Sequence, residues 1–325
     1  MSKQLADYEM IPRDFPLHVS RNEIRHVFPP HRHDFLECSL VVGGAGWELV
    51  NGERHPMRPG TFTLLLPYQV HELIAEPPGP LLLYNCMFGL ELIAGSAGQG
   101  ELAGELLSGE EPPHVQLAPE PAARLEALMA AMVEEQAAAR PLRRQLMTLQ
   151  LRELLIRSQR ERLAAAHVQG AAAHAGSAAT GSAHPERLGR ADDGRRRDGD
   201  TSAAGQAAAP RPVQRPDAAI WPIIAHIHLH YRDELSLGAL AARFGRSPSR
   251  LSMAIKRHAG LTFTQLLHEV RVRHACGLLA TTAMPTVEVA AEVGFSSYKT
   301  FARVFRDRKG ETPGDYRSRM RSLRA

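Results

Sequence analysis

The stretch VEVAAEVGFSSYKTFARVFRDRKGETPGDY, residues 287–316, decides the fold of the C-terminal third of the chain. Val287, Ala290 and Ala291 form the apolar side of a short helix, Gly294 supplies a turn, and Ser296 is placed to cap a second helix. In that second helix Phe301, Val304 and Phe305 recur at helical spacing and face a core, while Lys299, Arg303 and Arg306 gather on the opposite side. Two short helices joined at a glycine, apolar on one side and basic on the other, have the layout of a helix-turn-helix unit.

The same layout occurs some fifty residues earlier. Ser236 can cap a helix in which Leu237, Leu240, Ala241 and Phe244 fall at i, i+3, i+4 and i+7, and Gly245 makes the turn. Ser247 then caps a helix with Pro248 at its first position, running to Gly260. Leu251, Ala254, Ile255 and His258 share its inner face, and Ser249, Ser252, Met253, Lys256 and Arg257 point away. Between the units, Phe263, Leu266, Leu267, Val270, Leu278 and Leu279 describe one connecting helix, in which Gly277 costs about 1 kcal/mol against alanine.

Two such units in tandem, ending in Gly310-Glu311-Thr312-Pro313 and Tyr316-Arg317, resemble the AraC/XylS family of transcription regulators over about a hundred residues. Arg271, Ala275 and Leu278-Leu279 agree with that resemblance. Met253 stands where many relatives carry a basic residue, and Thr300 where many carry an aromatic one, which leaves the base preference of the first unit open. The resemblance implies an all-α, homeodomain-like double helix-turn-helix domain over residues 216–325, with double-stranded promoter DNA and RNA polymerase as partners and activation more often than repression.

A helix in the major groove reads base edges with its exposed side chains, and arginine suits guanine because it can bond O6 and N7 together. Arg303, then Lys299, are the expected base readers. Ser249, Arg250, Ser252 and Met253 complete the first unit's candidate DNA face, and Lys256, Arg257 and Arg306 are expected on phosphates. Solvated helix charges would give the same pattern, so charge alone does not decide. Its distribution is nonetheless uneven: residues 216–325 carry 17 Lys and Arg against 9 Asp and Glu, net +8, whereas residues 1–167 carry 15 against 21, net −6. A polyanionic partner suits only the C-terminal part.

Residues 168–215 are Ala, Gly, His, Ser, Arg and Asp with almost no large apolar side chain, and read as a disordered linker. Before it, Leu125, Leu128, Met129, Met132 and Val133 repeat at helical spacing, as do Leu142, Leu146, Leu149 and Leu155 after Pro141. This helical pair, residues 111–167, is the expected seat of a homodimer contact. Residues 1–110 are short apolar runs (35–42, 47–50, 61–66 and 81–88) punctuated by Gly43-Gly44, Asn51-Gly52, Pro59-Gly60 and Pro78-Gly79, the signature of a compact β-barrel or jelly roll. The fold class expected is multidomain α+β.

Within that barrel, His31-Arg32-His33-Asp34-Phe35-Leu36-Glu37, the Gly43-Gly44 turn, Pro59-Gly60 and Pro67 to His71 resemble the cupin motifs of AraC-type sensor domains. If His31 and His33 share a strand they project to one side, and Glu37 and His71 could complete a divalent metal site. The same four residues could instead bind a small polar effector, a sugar or related metabolite by family resemblance, or simply line a satisfied pocket. No cofactor is required. The row His226, His228, His230 reads as surface histidines, of which only His226 and His230 could converge.

Three separated cysteines, Cys38, Cys86 and Cys276, form no CxxC pair and suit a reducing compartment. No membrane span, secretory signal, P-loop, nucleophile elbow or dinucleotide fingerprint is legible, so a cytoplasmic, non-enzymatic, effector-responsive regulator is the expected function. Two alternatives remain: a metal-dependent cupin enzyme fused to a DNA-binding domain, and a constitutive DNA-binding protein whose barrel only dimerises.

Overall fold

The computed structural model describes residues 15–94, 101–107, 113–138, 140–178 and 220–322. Nine strands come first: β1 (Leu17–Ile24), β2 (Val27–His31), β3 (Leu36–Gly43), β4 (Gly46–Val50), β5 (Glu53–Met57), β6 (Thr61–Leu65), β7 (His71–Ala75), β8 (Leu81–Phe88) and, after helix α1 (Glu101–Leu106), β9 (His114–Gln116). They form two antiparallel sheets in the orders β1-β8-β3-β6-β9 and β2-β7-β4-β5. Among the described residues no strand pairing joins one sheet to the other, so the cupin-like unit is a sandwich of two sheets and not a closed barrel. β9 lies beyond position 110, where the barrel was expected to end, and completes the first sheet by pairing with β6. A three-residue strand is too short to show alternation in sequence.

The first sheet is buried on both faces, so β6 and most of β3 are continuously buried although apolar and polar residues alternate along Leu36–Leu40 and Thr61–Leu64. Leu36, Cys38, Leu40, Phe62, Leu64, Cys86 and Phe88 pack outward into one core with Leu125, Met129 and Met132 of α2 (Pro119–Ala138) and Met147, Leu151, Leu154 and Leu155 of α3 (Arg143–Ala178). Cys38 and Cys86, distant in sequence, sit opposite each other in the β3–β8 register as buried thiols. The inner face carries Glu37, Ser39, Thr63 and Asn85 toward the second sheet. β4 and β5 meet in a two-residue hairpin whose central Asn51 and Gly52 both have positive φ, 51° and 87°, the conformation that suits strand twist.

The helical pair leaves part of its apolar surface uncovered. Leu142, Leu146, Leu149 and Ile156 of and beside α3 are exposed, whereas the buried positions are Met147, Leu151, Leu154 and Leu155. α3 continues to Ala178, past position 167 where the linker was expected to start, in keeping with the high helix propensity of its alanines. The rest of the expected linker lies outside the described residues.

The C-terminal unit is helical throughout: α4 (Trp221–Leu229), α5 (Leu237–Arg243), α6 (Pro248–Ala259), α7 (Phe263–Thr281), α8 (Thr286–Glu292), α9 (Tyr298–Lys309) and α10 (Pro313–Ser322). Ser236 and Ser247 cap α5 and α6 through bonds from Ala239 N and Arg250 N, at 3.1 and 3.4 Å. Thr262 and Gln265 form a reciprocal capping box at the start of α7, which runs unbroken through Gly277. Two expectations for the second unit are corrected. The N-cap of α9 is Ser297 rather than Ser296, and Val287 and Ala291 are exposed while Val289, Ala290 and Val293 are buried. α8 starts at Thr286 after Pro285, which rotates Val289 rather than Val287 onto the core. Gly294 is obligatory at its turn: φ is +88°, and a Cβ there would stand 2.7 Å from the Arg232 carbonyl oxygen.

Candidate functional site

α6 and α9 are the second helices of the two helix-turn-helix units, and both pack on α7. Each buries one stripe, Leu251, Ile255 and Ala259 in α6 and Phe301, Val304 and Phe305 in α9. That packing turns the opposite stripe outward: Ser249, Arg250, Met253, Lys256, Arg257, Lys299, Arg303 and Arg306 are exposed, and Ser252 is half-buried. Arg303 has one neighbour on its own helix, Asp307, at 3.5 Å, with both side chains largely in solvent. An exposed pair of this kind contributes little and yields readily to a stronger acceptor. Arg271 plays a structural part, since its guanidinium donates to the carbonyls of Tyr231 and Asp233 at 2.7 and 2.9 Å and so ties α7 to the end of α4.

The second site lies inside the sandwich. His33, Glu37 and His71 are buried, with one ligand atom of each within 4.8 Å of the others. His33 and His31 do not share a strand. His31 ends β2 and His33 follows in the β2–β3 loop, yet the rings remain near neighbours, with centroids 6.3 Å apart. His31 lies tilted beside His71, centroids 4.0 Å apart, outside the triangle formed by His33, Glu37 and His71. The Nδ1 of each histidine is held by an acceptor: Pro29 O at 3.0 Å for His31, Phe35 O at 2.8 Å for His33, and Glu48 Oε1 at 3.0 Å for His71. A carbonyl or carboxylate only accepts, so each Nδ1 carries a proton. The Nε2 atoms of His33 and His71 are buried without a hydrogen-bond partner, although His33 Nε2 stands 3.3 Å from a Glu37 oxygen.

Electrostatics divides these groups. Burial, reinforced by the nearby His71, pushes His33 well below 6.5 and His31 down to about 4. For His71 burial acts in the same direction but is outweighed by the Glu48 bond and the Glu37 charge, and its pKa is raised. Burial raises Glu37; it also acts to raise Glu48, where hydrogen bonds from His114 and His71 prevail and hold the carboxyl at about 2.

Glu48 is the residue that the sequence reading missed. Only 1% exposed, it bonds His71 on β7, His114 on β9 at 2.8 Å and Thr63 on β6 at 3.1 Å, so one carboxylate joins both sheets. Asn85 donates to Glu37 at 3.2 Å and extends the polar floor. Beside apolar Trp47 and Leu49, Glu48 reads as the outward residue of its strand, and only the pairing of β4 with β7 reveals the reverse.

The loops that carry the histidines also meet the helical unit. Asp34 pairs with Arg273 of α7 at 3.4 Å, and its carbonyl accepts from the same guanidinium at 3.1 Å. Tyr68 Oη lies 3.4 Å from His228 Nε2, His258 Nε2 lies 3.3 Å from the Pro67 carbonyl, and Arg32 packs at Gly260. The backbone N–H of Tyr68 donates to the His33 carbonyl at 2.8 Å, which joins the two loops. His228 is therefore an interface residue and not a surface histidine: the apolar α4 turns it inward. His226 and His230 do converge, with centroids 4.1 Å apart.

Residues 17–151 match the family model described as an AraC-like ligand binding domain, and residues 240–319 match one described as a helix-turn-helix domain. An uncharacterized HTH-type transcriptional regulator of Bacillus subtilis (strain 168) is 33% identical over 101 residues, 31% of this chain and 13% of that one. Another, from Staphylococcus aureus (strain MSSA476), is 36% identical over 92 residues, 28% of this chain and 12% of that one. The chain thus spans only about an eighth of the length of these curated relatives. Among solved structures, the C-terminal domain of AraT, a response regulator from Geobacillus stearothermophilus, is 30% identical, covering 32% of this chain and 88% of that one with a TM-score of 0.31.

Proposed function

The chain belongs to the AraC family of transcription regulators, and from that premise we propose that it binds promoter DNA through α6 and α9 under control of an effector held in the sandwich. The observation that carries this reading is the pairing of two outward basic helix faces with a buried His and Glu seat whose own loops grip α7. An effector that binds one docking arrangement better than another shifts the balance between them, and with it the presentation of the recognition helices.

Several finer features belong to the same proposal: a homodimer through the exposed Leu142, Leu146, Leu149 and Ile156 face, recruitment of RNA polymerase, action in the cytoplasm, and a regulatory rather than enzymatic role. Among the described residues no helix is long and apolar enough to cross a membrane. The decisive experiment is a thermal-shift screen of the full chain against metabolites and metal ions, followed by promoter-reporter assays of each hit. A hit that raises the melting temperature and changes transcription supports the proposal. A hit that is turned over supports the fused-enzyme reading instead.

A further inference from the structure

α6 and α9 repeat one plan. Both are 12 residues long and end on a glycine in the left-handed region, Gly260 at φ 69° and Gly310 at φ 73°. Aligned from those ends, Leu251 answers to Phe301 and Ile255 to Phe305 in the core, and Lys256 answers to Arg306 on the outer face. Met253 then answers to Arg303. Both stand outward in the middle of their helices, Met253 57% exposed and the Arg303 side chain 66% exposed. At one and the same place the second unit offers a guanidinium and the first a thioether.

We infer that Met253 reads the C5-methyl group of a thymine in the major groove that α6 enters, at the point where α9 presents Arg303. The inference rests on the proposed function, since it requires α6 to lie in DNA, and it names the base that the first unit prefers.

Among the described residues of α6, Met253 is the one large apolar side chain left in solvent. The helix does not need it for packing, because Leu251, Ile255 and Ala259 already supply its buried stripe. Along the outward stripe it lies between Ser249 and Arg250 on one side and Lys256 and Arg257 on the other, all of them exposed. Cations so placed draw in the phosphate backbone and leave the side chain between them to face the base edges. Of those edges in the major groove, only thymine carries a methyl group. A thioether donates no hydrogen bond and accepts weakly, so opposite guanine it would strip water from O6 and N7 and return nothing. Opposite thymine it joins two hydrated apolar surfaces, and its unbranched chain adapts to the distance. One methyl buried in this way corresponds to roughly a fourfold change in affinity. Rejection of guanine is the stronger effect, because a desolvated and unpaired acceptor costs more than a lost methyl contact.

The test uses the full chain and a duplex that wild type recovers from a randomised library. Each thymine of that duplex is replaced in turn by deoxyuridine, which removes the methyl and keeps the pairing. Affinity is read by fluorescence anisotropy at one salt concentration, since binding to DNA varies steeply with salt. Wild type should lose roughly fourfold at one thymine. Met253→Ala should bind the parent duplex about as weakly and be indifferent to that same replacement, because the two changes remove one contact. Met253→Leu should keep the response, and Met253→Arg should turn the preference at that pair toward guanine. Melting temperatures should be native for all three variants, as the position is exposed. If no thymine exists at which wild type loses more than Met253→Ala, the inference is overturned while DNA binding stands. If wild type recovers no duplex at all, the proposed DNA binding falls and the inference falls with it.

Discussion

Asp34 and Arg273 are joined twice, by an ion pair at 3.4 Å and by a bond from the guanidinium to the Asp34 carbonyl at 3.1 Å, across the boundary between sandwich and helical unit. Arg273→Ala removes both. A charge-assisted bond of this kind is worth about 1.5–3 kcal/mol, enough to loosen docking without unfolding either unit. Amide hydrogen exchange should then rise at residues 32–35 and 226–231 while the sheet and α7 keep their protection. Unaltered exchange at the interface would show that the contact does not hold the units together.

Arg303 and Arg306 face outward from the same helix but have different expected roles. Arg303→Ala should cost about 1–3 kcal/mol on the specific site and relax preference at one base pair, whereas Arg306→Ala should weaken all sequences alike. Selection from a randomised site distinguishes them, and identical preferences for wild type and Arg303→Ala would count against base reading.

Residues 216–325 carry both recognition helices and the basic surplus, so that fragment alone should retard promoter DNA, with affinity falling steeply as salt rises. With both units joined by α7, footprints should show two protected major grooves about 10 base pairs apart. A single protected groove would mean that one unit is idle.

Leu149 is 65% exposed in the middle of an apolar stripe on α3. If that face closes a two-fold dimer, Leu149→Asp should shift the full chain to a monomer in sedimentation at tens of micromolar while leaving its melting temperature as a monomer nearly intact. A wild-type chain that is already monomeric at that concentration would remove the dimer from the proposal.

Docking should also weaken in acid. Burial, with the Arg273 charge adding to it, pushes His228 well below 6.5, and burial pushes His258 down to about 4 against the opposing bond to the Pro67 carbonyl. Tyr68, Arg273 and His274 surround His228, and Trp221 and Pro67 face His258. Released from burial, both imidazoles return toward 6.5, so the undocked state binds more protons below that pH. The contribution is complete above 6.5 and is lost as pH falls from there toward 4. Interface exchange protection measured at pH 7.5 and 5.5 should drop, and equal protection at both would refute the assignment.

The sequence reveals what is decided within a few residues. Ser236, Ser247 and Pro248 mark helix starts, Gly245, Gly260 and Gly294 mark turns, and the basic stripes follow from helical spacing alone. His31, His33, Glu37 and His71 are legible through the resemblance of the residues around them to cupin motifs. Glu48, Asn85 and His114 are not, because their roles depend on which strand lies beside which, and β4, β8 and β9 acquire partners far along the chain. The interface was invisible for the same reason: nothing local distinguishes Asp34 or His228 from an ordinary loop acid or surface histidine.

The rim of the seat and the grip on α7 are built from the same two loops, and this constrains how such a regulator can diversify. A substitution in residues 31–35 or 66–71 that suits a new effector also resets the docking geometry, so it must satisfy two selections at once. Thr63, Asn85 and His114 direct their bonds toward Glu48 and Glu37 within the sandwich, which makes them the positions where ligand preference can drift while the switch is inherited unchanged.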